Sequence, residues 1–122
     1  PGMTMDFLPT LCEIAEVPID QPIDGQSLTD VWLRDGKTDP ERTMIWVRRE
    51  GNNTYQGRAY YAIRQGVWKL TQSSPFEPMQ LVNLKTDPWE ERPKEAKGPQ
   101  ANVLRRQLMD HLQQAGRIPW QP

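Results

Sequence analysis

Apolar residues recur at helical spacing at both ends of the chain and alternate with polar ones in the middle. Near the C-terminus Ala101, Leu104, Leu108, Leu112 and Ala115 fall at intervals of three and four, a stripe that predicts an amphipathic helix. Pro99 suits its entry and Gly116 its exit. Near the N-terminus Phe7, Leu11 and Ile14, with Leu8 and Ala15 beside them, predict a second helix over Asp6–Ala15. Asp6 is placed to cap its first turn, Pro9 is tolerated that early, and Val17-Pro18 ends it. A proline-bearing stretch from Ile19 to Asp24 follows. Asp24-Gly25 reads as a turn, and Ser27 as the cap of a short helix through Leu28, Val31 and Trp32.

The middle reads as four short strands. Thr43–Arg49, Arg58–Arg64, Val67–Thr71 and Met79–Leu84 are rich in β-branched and aromatic residues and are bounded by turn formers. Gln65-Gly66 predicts a two-residue hairpin connection, because glycine supplies positive φ without steric cost. Gly51–Thr54 predicts a turn, and Lys85–Gly98 a polar, proline-broken segment. The expected fold is α+β: a four-stranded antiparallel sheet packed against a C-terminal amphipathic helix, with an N-terminal helix before it. The expected division is an N-terminal helix over 1–18, a linker with a short helix over 19–42, and an α+β subdomain over 43–122.

Composition narrows the function classes. At 122 residues and a formal net charge of −1, the chain has room for a small core and no strong pull toward nucleic acid or an anionic membrane. No apolar run approaches the roughly 20 residues that span a bilayer. One cysteine excludes an internal disulfide. Five tryptophans supply large apolar areas for a small core.

Candidate catalytic groups are few. Cys12 lies mid-helix beside Glu13, whose charge would raise a thiol pKa, so it reads as a packing residue. His111 is the lone histidine and cannot by itself furnish the three or four ligands a zinc site takes. Asp87, Glu90 and Glu91 could be grouped with Asp35 and Asp39 as a calcium site, but the alternating carboxylate loop that calcium favours is missing. The structural expectation is that Asp87 begins a turn and that a glutamate pairs with Arg64, Lys69 or Arg92. Arg48, Arg49, Arg58, Arg64 and Lys69 interleave with Tyr55, Tyr60, Tyr61 and Trp68. That mixture suits an anionic sugar or sulfate better than a nucleic acid, the alternative being plain strand-face charges in solvent; Arg64, Lys69 and Arg58 are the substrate-binding candidates. Asn52-Asn53-Thr54 fits a glycosylation sequon.

Five segments, in order, resemble the C-terminal region of type I sulfatases, the arylsulfatase family. Met5-Asp6-Phe7-Leu8-Pro9-Thr10-Leu11 is similar to its Asp-x-x-Pro-Thr-Leu helix, and Ile14-Ala15-Glu16-Val17-Pro18 to the end of that helix. Asp24-Gly25-Gln26-Ser27-Leu28 resembles Asp-Gly-x-Ser-Leu. Ala62–Leu70 resembles the family hairpin, and Leu81–Leu84 with Asp87-Pro88-Trp89-Glu90 resembles Leu-Tyr-Asp-Leu…Asp-Pro-x-Glu. Glu16 stands where the family usually has glycine, Val82 where it has tyrosine, and Asn83 where it has aspartate.

The resemblance implies a sulfuric ester hydrolase as parent, typically periplasmic or secreted, that uses calcium and a formylglycine made from a Cys/Ser-x-Pro-x-Arg motif. This chain has no such motif, and Cys12 is followed by Glu13-Ile14-Ala15. The family's catalytic and metal residues therefore map onto no position here. The expectation is a C-terminal fragment that shapes the substrate cleft in the parent enzyme and is inactive alone. The alternative is a stand-alone binding or structural module recognising sulfated sugars. The expected partners are the sulfatase catalytic domain and a sulfated substrate, with no nucleic acid and no membrane. The isolated chain is expected to be a homo-oligomer.

Overall fold

The computed structural model describes residues 1–49 and 59–117. The turn expected over Gly51–Thr54, the sequon at Asn52 and Arg58 lie outside them. The chain divides into two compact units, Pro1–Arg42 and Thr43–Pro122.

In the first unit a short 3-10 turn over Thr4–Asp6 runs into helix α1, Phe7–Ile14, and a second short helix, α2, covers Thr29–Leu33. Helix α1 buries the side that carries Pro9 and Thr10 and leaves its apolar side in solvent. Phe7, Leu8, Leu11 and Ile14 are about half exposed, at 52, 52, 55 and 45 %. Phe7 meets Trp32 of α2 ring against ring, with centroids 5.7 Å apart. The helix ends in a Schellman turn: the Val17 amide donates to the Cys12 carbonyl at 2.9 Å and the Glu16 amide to Glu13 at 3.2 Å. Glu16 takes the left-handed position of that turn, with φ 56°.

Ser27 does not cap α2 as expected. Its hydroxyl instead accepts from the Thr29 amide at 3.2 Å and shares a hydrogen bond with the Thr29 hydroxyl at 2.8 Å.

The second unit is α+β. Strands β1 (Met44–Arg49), β2 (Ala59–Gln65), β3 (Trp68–Gln72), β4 (Gln80–Asn83) and β5 (Lys94–Glu95) form one antiparallel sheet in sequence order, followed by helix α3, Pro99–Ala115. Four strands were expected, and the fifth lies inside the polar segment. Lys94 and Glu95 are exposed and add only backbone pairing, to Leu81 and Gln80. The hairpin turn is also displaced by one residue. Gln65 pairs with Trp68, so the two-residue connection is Gly66-Val67, with Gly66 at φ 58°.

The core lies between one sheet face and α3. Ile63 and Leu70, paired across β2 and β3, pack with Ala96 and the helix residues Ala101, Leu104 and Leu108. All but Ala96 are fully buried. Because strand side chains alternate, this register sends Arg64 and Lys69 to the opposite face. Trp68 points to the core side and is partly buried there.

Candidate functional site

Two stretches that carry the family resemblance are joined by one polar node in the first unit. Asp6 is 1 % exposed and its carboxylate accepts four hydrogen bonds. The Met3 amide and Arg42 Nη1 reach Oδ2, both at 2.7 Å. The Gln26 amide and Arg42 Nη2 reach Oδ1 at 3.0 and 2.8 Å. The Arg42 guanidinium, helped by the two amides and opposed by burial, holds the Asp6 carboxyl far below the usual carboxylate range; the same contact raises Arg42.

Thr10, one turn further on, extends the node. Its hydroxyl donates to the Asp6 carbonyl at 2.6 Å and accepts from the Leu28 amide at 2.9 Å. Gly25 fits because a Cβ there would stand 2.1 Å from the Met5 carbonyl oxygen. Asp6 was expected to cap α1, yet no side-chain cap forms on that helix. Its carboxylate organises the Asp24–Leu28 loop instead. This is a structural node, since every oxygen is committed within the chain.

In the second unit Arg64 and Lys69 face each other across β2 and β3. Lys69 Nζ pairs with Glu90 Oε1 at 2.5 Å, as expected of the acidic turn, and Arg64 Nε donates to the Gly66 carbonyl at 3.3 Å. Trp46, Arg48, Tyr60, Lys69 and Thr71 line a hollow of about 670 Å³ on the sheet. Lys69 is thus placed among aromatic side chains with one carboxylate already bound.

The Asp87 turn is built as its residue types suggest. Asp87 is buried, and its two carboxylate oxygens accept from the Glu91 and Arg92 amides at 3.1 and 2.8 Å. Glu90 adopts φ 58° there. Beside it a cleft of about 710 Å³ runs between Trp68, β4 and the 92–97 segment. Sequence reasoning missed this cleft, because its far wall is the charged strand β5.

Cys12 is a free, partly buried thiol and His111 is exposed. Among the described residues no group of three or more His, Cys, Asp or Glu is arranged to hold a metal, and no helix is long and apolar enough to cross a membrane.

No protein-family model and no curated relative matches the sequence. Solved structures do share its fold. A proposed sulfatase from Bacteroides thetaiotaomicron VPI-5482 superposes with TM-score 0.66 at 24 % identity, over 89 % of this chain and 23 % of its own. A 2-O GAG sulfatase gives TM-score 0.64 at 22 % identity, over 90 % and 23 %. A protein solved with its substrate D-glucosamine-2-N,6-O-disulfate gives 0.64 at 24 %, over 92 % and 23 %. The chain therefore has the fold of a segment of these proteins and spans about a quarter of their length.

Proposed function

We propose that this chain is the C-terminal region of a sulfatase, which helps to wall the substrate cleft of the whole enzyme and does not hydrolyse sulfate esters alone. The observation that carries the reading is the match in coverage: about nine-tenths of this chain, but 23 % of each neighbour, at one fold. The ordered sequence segments point the same way, and the Asp6–Thr10 node gives two of them a shared structural reason.

In that setting the hydrolytic machinery belongs to the rest of the enzyme. The formylglycine and calcium of the resembled family would be held there, since the residues described here include neither the nucleophile motif nor a cluster of oxygen ligands. This region would contribute shape and charge. The sheet face with Lys69, Arg64 and Trp46 would present cations and aromatic surface to a sulfated sugar, the kind of ligand with which one neighbour was solved. Sulfate does not take up a proton near neutrality, so it is held by donors such as these rather than by a titrating base.

The test has two parts. The coding sequence upstream of Pro1 should continue in frame into a Cys/Ser-x-Pro-x-Arg motif. Purified chain should release no sulfate from an aryl sulfate, with or without calcium. An upstream stop codon, or turnover that disappears on Cys12→Ala, overturns the reading.

A further inference from the structure

We infer that the cleft beside Trp68 is a binding site for an anionic sugar. The inference does not depend on the sulfatase reading.

Both walls of the cleft are fixed by hydrogen bonds. On one side the Thr86 and Asp87 amides donate to the Asn83 carbonyl at 3.1 and 2.9 Å, and the Asp87 carboxylate pins the Glu91 and Arg92 amides. On the other side the Ala96 amide donates to the Met79 carbonyl at 2.8 Å, and Arg105 Nη2 donates to the Ala96 carbonyl at 3.0 Å. A site held this way needs little ordering when a ligand enters. Its volume of about 710 Å³ lies within the range of small-ligand pockets, roughly 300–1,000 Å³.

The lining decides the ligand class. Three cations, Arg92, Lys94 and Lys97, face the cleft with two carboxylates, Asp87 and Glu95. Asp87 is taken up by its two amides, and Glu95 by Lys97 at 2.9 Å. The side chains of Arg92 and Lys94 find no partner among the described residues and remain available to an anion. Trp68 and Leu81 supply apolar surface beside them, and Asn83 and Thr86 supply polar groups. A simple anion would use the cations and ignore the indole. A neutral sugar would use the indole and ignore the cations. A hexose bearing one acidic substituent uses both, with its C–H face on Trp68 and its anion at Arg92 and Lys94.

Titration of the whole chain with glucose 6-sulfate, glucuronate, glucose and inorganic sulfate, followed by nitrogen-15 NMR, tests this. Either acidic sugar should shift the Trp68 indole resonance with saturation, and comparison of the two shows which substituent is preferred. Charge removal by Arg92→Gln with Lys94→Gln should weaken that binding about tenfold or more. Both side chains are exposed, so the fold should be retained. Trp68→Phe should weaken it as well, and Arg117→Gln should leave it unchanged. Shifts that do not saturate, equal affinity in the double variant, or equal affinity for inorganic sulfate would overturn the assignment. The last result would leave only a surface patch of cations.

Discussion

Arg42 holds the Asp6 carboxylate with both terminal guanidinium nitrogens, at 2.7 and 2.8 Å, across 36 positions of sequence. The pair is nearly dry: the Asp6 side chain is 1 % exposed and that of Arg42 is 11 %. Two backbone amides share the carboxylate, so the charge is compensated on every side. A pair of this kind is costly to break from one side, because the other charge is left buried.

Asp6→Asn should therefore destabilise the first unit by about 3–5 kcal/mol at neutral pH. Its pH dependence has a definite sign. Folding lowers the Asp6 pKa, so the stabilisation is complete above the ordinary carboxyl value of 3.8. It is lost as pH falls through that value toward the folded one. Protection factors at Gln26 and Leu28, with the intrinsic pH dependence of exchange divided out, should fall in the parent between about pH 5 and about pH 2 and change far less in Asp6→Asn. Parallel profiles would remove Asp6 as the source of acid lability.

Glu16 closes the Schellman turn with φ 56°, a conformation that L side chains adopt at a cost. Glu16→Gly removes that cost, roughly 1–2 kcal/mol, and returns part of it by loosening the unfolded chain, about 0.4–1 kcal/mol. The net expectation is a gain between nothing and about 1.6 kcal/mol in the first unit. Slower amide exchange through α1 would show it, and a loss of stability would mean that the Glu16 side chain contributes more than its backbone costs.

Leu70 and Trp89 should behave oppositely when cut to alanine. Leu70 is fully buried under α3, so its loss should cost about 2–5 kcal/mol. Trp89 is 83 % exposed on the Asp87 turn, and its removal should stay within about 0.5 kcal/mol. Chemical denaturation of both variants checks the assigned core face. A large effect at Trp89 would mean that the exposed indole has a packing partner.

The elements built from side-chain pattern were legible in the sequence. The alternating strands and the α3 stripe stand within a residue or two of their expected ends, because burial of one face dictates the period. Strand β5 was not legible. Lys94 and Glu95 carry no apolar alternation, and their strand character comes from the neighbouring β4 backbone. The hairpin turn was misplaced by one residue because glycine marks positive φ, not which of two loop positions it fills. Pattern alone makes Asp6 a local cap, because it sees neighbours at three and four positions, while the decisive donors lie 20 and 36 positions away. Residue types predict a glutamate paired with Arg64, Lys69 or Arg92, and the structure selects Lys69 with Glu90. The cleft beside Trp68 was not, because it depends on where β5 stops.

The last prediction concerns association. Helix α1 is inverted relative to an ordinary surface helix: Asp6 and Thr10 are buried, while Phe7, Leu8, Leu11 and Ile14 are about half exposed. Trp32 and Leu33 of α2 add exposure of 44 and 64 % in the same unit. An apolar surface on this scale marks an interaction face more often than a free one. In a whole sulfatase it would be covered by the catalytic part. In the isolated chain a second copy is the available cover, so light scattering at micromolar concentration should report a dimer or larger species. Leu11→Lys places a charge in the middle of the face without touching the Asp6 node, and should return the protein to a monomer with its fold intact. A parent chain that is already monomeric, with α1 protected from exchange, would show that the chain covers this face by itself.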